Sequence, residues 1–175
     1  DPAISSCSSL LYMELYNTKL DSLPKSMQGL RSLELLRIGN NESDTLRLPE
    51  ELTYLRGLRD LQLFDCNIYR LPANMQNFDA MERLVCNSCQ LDSLPANLGY
   101  MPRLKHLELN NNRIVVLPSS ISKLKNLEYL SLRNNKLSDL PESLIWLTKL
   151  QTLDIRGNMI SAQTLEILRL SLPNC

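Results

Sequence analysis

The sequence predicts an α/β solenoid, a curved stack of short units with parallel β-strands on the concave face and short 3₁₀ or helical turns on the convex face. Two observations predict it. Apolar residues return to the same places every 23 residues along almost the whole of the 175-residue chain, and a fixed period of that length marks stacked supersecondary units. A Leu-Pro pair then opens the second half of each unit, where proline ends a strand ladder.

The strands come first in each unit. Leu10, Leu33, Leu58, Met81, Leu104, Leu127 and Leu150 each open a segment of the form L-x-x-L-x-L-x-x-N-x-L. Five of the six intervals between them are 23 residues, and one, Leu33 to Leu58, is 25. The fourth place reads Met13, Leu36, Leu61, Leu84, Leu107, Leu130 and Leu153; the sixth reads Leu15, Ile38, Leu63, Cys86, Leu109, Leu132 and Ile155. Places two apart lie on one side of a strand, so both sets face one interior. Seven strands about 4.8 Å apart make a face on the order of 30 Å long.

A turn follows the strand. The ninth place holds Thr18, Asn41, Cys66, Cys89, Asn112, Asn135 and Asn158. Asparagine suits it because a small inward amide satisfies turn N–H and C=O groups that would otherwise be buried unpaired; cysteine and threonine are weaker substitutes. Leu-Pro comes next, at Leu23-Pro24, Leu48-Pro49, Leu71-Pro72, Leu94-Pro95, Leu117-Pro118 and Leu140-Pro141. Apolar residues then recur three apart, as in Ile121, Leu124 and Leu127, a spacing that fits a short 3₁₀ or irregular helical turn. No unit can bury its leucines alone, so stacking must build one continuous core.

Residues 1–175 are expected to form a single repeat domain. Residues 1–9 read as a partial N-terminal repeat, because Ile4 and Cys7 fall six and three residues before Leu10. That half unit is a minimal cap or the edge of a longer solenoid; the lack of a polar terminal repeat favours the longer solenoid. Residues 10–160 hold seven strand-bearing repeats, the last truncated. Residues 161–175 read as a C-terminal capping helix with Ser161 at its N-cap, an apolar stripe of Leu165, Leu168 and Leu172, and Pro173 as its stop. The two extra residues of the second unit fall in Glu42-Ser43-Asp44-Thr45, a polar stretch expected to bulge at an edge as a tolerated insertion.

The run Leu127-Glu-Tyr-Leu-Ser-Leu-Arg-Asn-Asn-Lys-Leu-Ser-Asp-Leu-Pro-Glu-Ser-Leu resembles the typical leucine-rich repeats of intracellular Ras-associated scaffolds and of many bacterial proteins, and the likeness covers nearly the whole chain. The resemblance implies a leucine-rich-repeat solenoid, a right-handed superhelix shaped like a horseshoe. It says little about function, since such repeats occur in scaffolds, receptors and virulence factors. The closing Ser171-Leu-Pro-Asn-Cys175 is similar to the end of bacterial repeat proteins. No ubiquitin-ligase domain of the kind joined to some bacterial effectors follows the repeats in these residues, so that activity is not carried over.

Composition narrows the function classes. Nineteen basic residues balance nineteen acidic ones, which gives no global field for a polyanion and argues against nucleic acid. No apolar run is long enough to span a bilayer. Register places three rows of side chains outward on the concave face. Tyr12, Tyr16, Leu35, Phe64 and Val85 are apolar members of those rows; with Arg37 and Arg83 they have the aromatic-plus-arginine makeup of an interface hot spot. The alternative is that they cover an open end of the core. His106, Tyr129, Arg133 and Arg156 extend the candidate partner-binding set, and Glu108, Arg133, Asp154 and Arg156 form a charged strip whose bland reading is a solvated, self-paired face.

Catalytic and metal-ligating sets are not expected. In Cys86-Asn-Ser-Cys89, Cys86 takes an inward apolar place and Cys89 the ladder place, so both read as buried structural thiols. With one histidine and no second cysteine pair, four-coordinate zinc lacks ligands. His106 has no nucleophile or orienting group beside it. The reading is therefore a monomeric protein-binding module without cofactors or membrane insertion, secreted or surface-exposed on a bacterium, or an effector. The alternative is a cytosolic signalling scaffold or a fragment of a larger receptor.

Overall fold

The computed structural model describes residues 2–172. Seven strands form one parallel sheet in sequence order: β1 Tyr12–Tyr16, β2 Leu35–Leu46, β3 Asp60–Ile68, β4 Arg83–Asn87, β5 His106–Glu108, β6 Tyr129–Ser131 and β7 Thr152–Asp154. The register follows the repeat. Met13, Leu36, Leu61, Leu84, Leu107, Leu130 and Leu153 pair successively across the sheet, so the fourth place of every unit forms one apolar ladder.

Each Leu-Pro pair leads into a 3₁₀ turn. The turns are Lys25–Gly29, Glu50–Tyr54, Met75–Asn77, Leu98–Tyr100, Ser119–Lys123 and Glu142–Trp146. The core runs without a break from Leu23 to Leu172. Met13 and Leu15 at one end, and Leu153 and Ile155 at the other, are only half-buried, because each has a neighbouring repeat on one side alone. Helix α1, Ala162–Ser171, packs at the second end; Ser161 caps it by accepting from the Thr164 N–H, and Leu168 and Leu172 are buried. Leu165 stays exposed, so the expected stripe is narrower than its spacing suggests. Pro173 and the rest of the closing motif after Leu172 lie outside the described residues. No helix among the described residues is long and apolar enough to cross a membrane.

One regular feature escapes the apolar pattern. The eighth place of every unit has positive φ: Asn17, Asn40, Asp65, Ser88, Asn111 and Asn134 between 51° and 56°, and Gly157 at 72°. The left-handed region tolerates Asn, Asp and Gly better than other residues, and the doublets Asn40-Asn41, Asn111-Asn112 and Asn134-Asn135 carry that signal. The chain turns off the strand at this column, and the ninth-place side chain swings under the turn.

The long second unit resolves differently from a simple bulged loop. Strand β2 continues through the extra residues, and its register against β3 jumps from Asn41↔Cys66 to Leu46↔Ile68. Five steps on β2 match two on β3, so three residues are added before Leu46. Only two steps then separate Leu46 from Leu48, against three between Ile68 and Leu71, which removes one and leaves the net two. The apolar pattern hides this exchange because Leu46 takes the buried place that Ile68 holds in the next unit. The addition is tied at both sides, by Glu42 N–H to Thr18 C=O at 2.8 Å, by Ser43 Oγ to Asp21, and by Asn67 Nδ2 to the Asp44 carbonyl.

Candidate functional site: the concave face

Three rows of outward side chains cross the sheet. The first is Tyr12, Leu35, Asp60, Arg83, His106, Tyr129 and Thr152; the second is Glu14, Arg37, Gln62, Val85, Glu108, Ser131 and Asp154. The third begins Tyr16, Gly39, Phe64 and Asn87. Because neighbouring strands lie about 4.8 Å apart, adjacent members of a row touch, and the rows sort into three zones.

The first zone is apolar. Tyr12 is 61% exposed and Tyr16 44%, while Leu35 and Phe64 are half-buried. Gly39 lies between Tyr16 and Phe64, and a Cβ on it would stand 2.6 Å from Tyr16 Cε1. The missing side chain lets the Tyr16 ring lie flat across β2.

The middle zone is a polar network in which only Asp60 Oδ1 and Arg83 Nε, among the described residues, are buried without a hydrogen-bond partner. Arg37 donates to Glu14 Oε1 at 2.8 Å and to Gln62 Oε1 at 3.1 Å, and Gln62 donates to Asp60 Oδ2 at 2.8 Å. Arg83 donates to Glu108 Oε1 at 3.1 Å, and its Nε lies 4.0 Å from Asp60 Oδ1. Glu108 also receives His106 Nε2 and, at 3.1 Å, Asn87 Nδ2. Burial alone would raise the Glu108 carboxyl, but the His106 and Asn87 donors and the Arg83 charge hold it below its ordinary value. The His106 ring stacks on Tyr129 with centroids 4.3 Å apart and planes 1° from parallel.

Two expectations need correction. Val85 points to the concave side but is 0% exposed, walled in by its row neighbours Gln62 and Glu108, so it offers a partner no surface. Register fixes the direction of a side chain, and the length of its neighbours decides whether it is reached. Arg37 and Arg83 are not free hot-spot cations either: each is already engaged by carboxylates, and a partner would have to break those bonds or bind beside them.

At the far end, Asp154 accepts from Arg156 at 2.9 and 2.5 Å, and the guanidinium holds its carboxyl below the usual range. Arg133 is exposed, its backbone N–H donating to Asn110 Oδ1 at 2.9 Å. The charged strip is thus self-paired at Asp154 and Arg156 and at Glu108, and the Arg133 charge also favours the ionised Asp154.

The thiols behave as core groups. Cys66, Cys86 and Cys89 are fully buried, and burial pushes all three up, Cys86 and Cys89 the furthest. Cys89 Sγ donates to the Leu63 and Asn87 carbonyls, which is the donor half of the asparagine role. No group of three His, Cys, Asp or Glu among the described residues is placed to hold a metal. Cys7 is exposed. Iodoacetamide at neutral pH is therefore expected to modify Cys7 in the native protein and Cys66, Cys86 and Cys89 only after unfolding, since the thiolate is the nucleophile. Peptide mass spectrometry checks this; rapid native alkylation of Cys86 would contradict it.

Comparison with known proteins agrees with this architecture. Residues 81–160 match the model of the leucine rich repeat. A leucine-rich-repeat protein of Leptospira interrogans is 29% identical at a TM-score of 0.80, over 100% of this chain and 50% of that one. The plant peptide hormone receptor RGFR1, in complex with RGF2, is also 29% identical at 0.80, over 98% of this chain and 28% of the receptor. The ectodomain of the membrane receptor kinase GASSHO1/SCHENGEN3 from Arabidopsis thaliana, in complex with CASPARIAN STRIP INTEGRITY FACTOR 2, is 25% identical at 0.70, over 91% and 20%. The chain thus spans half of the Leptospira protein and under a third of either receptor. No curated protein matches it by sequence.

Proposed function

We propose that this leucine-rich-repeat solenoid is a protein-interaction module that receives a partner on the concave face of its first four strands. The observation that carries the reading is the exposure of Tyr12 and Tyr16 in register with Leu35 and Phe64, since a soluble surface gains nothing from displaying such a cluster. Gly39 flattens the Tyr16 ring into a platform. The polar network beside it is largely paired internally, so it supplies shape and orientation, and the rings supply the affinity. His106, Tyr129, Arg133 and Arg156 form the remainder of the surface.

Leucine-rich repeats are in general binding modules, which favours binding over catalysis. Two structural neighbours were solved with a bound partner, which supports a binding role for the same architecture. The likeness to a Leptospira protein favours a bacterial secreted, surface or effector protein. The small share of each receptor that the chain spans favours the second reading, a piece of a larger receptor or scaffold.

Replacing Tyr16 and Phe64 together with alanine is expected to weaken capture of partners from host or cell lysates about tenfold or more, as loss of two interface anchors of 1–2 kcal/mol does. The far-UV circular dichroism spectrum should stay unchanged. Capture at full strength by the double variant would remove the site.

A further inference from the structure

The balanced charge of the chain conceals a segregation on one flank, where the 3₁₀ turns lead back into the strands. On this flank Arg56 lies 3.9 Å from Asp79, Arg59 3.1 Å from Glu82, and Lys105 3.0 Å from Glu82, while the exposed Arg31 makes no ion pair among the described residues. Toward the last repeats, Arg103, Lys123, Lys125 and Lys149 make no ion pair among the described residues.

The three lysine heads rest on rings and amides. Lys123 Nζ sits 4.4 Å from the centre of the Tyr100 ring and 2.6 Å from its hydroxyl. Lys125 Nζ lies 5.7 Å from the centre of the Trp146 ring, and Lys149 donates to Asn126 Oδ1 at 2.8 Å. Trp146 is 62% exposed, and Ile145 and the α1 residue Ile167 are exposed as well. Shared recesses connect these groups: Lys125, Ile145, Trp146 and Ser171 line one, Ile145 and Ile167 another. Glu128 lies beside Lys149, and Asp139 and Glu142 line the recess of Ile145 and Ile167, so the cations lie toward the Trp146 side of this surface and acids toward the other.

We propose that this flank is a peripheral docking surface for an anionic lipid bilayer, with the four cations against the headgroups and Trp146, Ile145 and Ile167 entering the interfacial layer. Tryptophan with lysine is the composition of a membrane–water boundary, where the amine reaches outward along an apolar stem. Clustered unpaired cations supply the attraction to acidic lipid, each contributing independently of the others. The groups stand on a projecting turn and helix; a fluid layer receives projecting side chains, whereas a rigid partner needs a matching pocket. This surface lies away from the concave rows, so its occupancy is independent of the partner site.

Trp146 is the only tryptophan of the chain and reports directly. The protein is expected to co-sediment with phosphatidylcholine vesicles containing phosphatidylserine and not with phosphatidylcholine alone, with a blue shift of tryptophan emission on binding. Added salt should reverse it. Replacing Lys123 and Lys125 with glutamate should weaken vesicle binding by about 30-fold or more, and the Lys123→Gln, Lys125→Gln variant should weaken it too, each with an unaltered urea midpoint. Failure to bind acidic vesicles, binding without an emission shift, or undiminished binding by both variants would overturn the assignment. Binding to polyglutamate but not to vesicles would also overturn it, in favour of an acidic protein partner.

Discussion

Gly99→Ala is expected to lower stability by about 3 kcal/mol or more, the upper end of what overpacking costs. The turn Leu98–Tyr100 stacks on the turn Ser119–Lys123 so closely that a Cβ on Gly99 would stand 1.7 Å from the Ser120 carbonyl oxygen and 2.2 Å from its carbon. Both obstructing atoms are backbone, so no rotamer change relieves them. The Gly99 N–H also donates to the buried Ser120 Oγ at 3.2 Å, and the shift needed to admit the methyl group would stretch that bond. Because each repeat touches only its neighbours, the damage falls on one interface, and the urea transition of the variant should broaden or split as the two halves uncouple. Gly57→Ala is the control. A Cβ there meets the Arg31 carbonyl oxygen at 3.3 Å, a tight contact that small movements relieve, and a loss under about 1 kcal/mol is expected. A wild-type midpoint for Gly99→Ala would mean that the two turns are not stacked as described.

Gly99 also marks where sequence reasoning stops. The period and the Leu-Pro pairs were enough for the strands, their register and the 3₁₀ turns, because each depends on which residues are apolar and how far apart they lie. Closeness of backbones leaves no such mark: Gly99 occupies a place held elsewhere by Gln28, Thr53, Gln76, Ser122 and Ile145, and nothing in its neighbours announces that the next turn comes nearer. The concave face was legible in direction and not in accessibility. Tyr12 and Tyr16 stand out as register requires, yet Val85, in an equally outward place, is covered, and Arg37 and Arg83 are already paired. Pairing and covering depend on the reach of side chains in adjacent repeats, which alternation along one strand does not record. The flank of unpaired lysines is hidden for a related reason, since a sum over the chain does not record which cations find a partner.

Asn135→Leu is expected to cost about 3 kcal/mol, at the top of the range for a buried polar group left without a partner. Leucine keeps the same branched skeleton of heavy atoms while removing every polar group, so most of the loss reports hydrogen bonding. The Asn135 amide donates to the Leu109 carbonyl at 2.8 Å and the Leu132 carbonyl at 2.9 Å, and its oxygen accepts the Ile114 N–H at 3.1 Å. Leucine would leave all three in an apolar interior where water does not reach them. Two of these groups, on Leu109 and Ile114, belong to the preceding repeat, so the amide holds neighbours together as well as closing its own turn. Asn135→Cys separates the two halves of that role. In the native chain Cys89 donates to the Leu63 carbonyl at 3.4 Å but cannot accept as an amide oxygen does; the Ile68 N–H bonds instead to the Cys89 backbone carbonyl at 3.1 Å. A thiol at 135 should therefore keep the carbonyls served and lose only the acceptor, at about 1 kcal/mol. Urea midpoints that fall in the order wild type, Asn135→Cys, Asn135→Leu would establish the amide column as the bond between repeats; equal midpoints for the two variants would locate the whole effect in the acceptor.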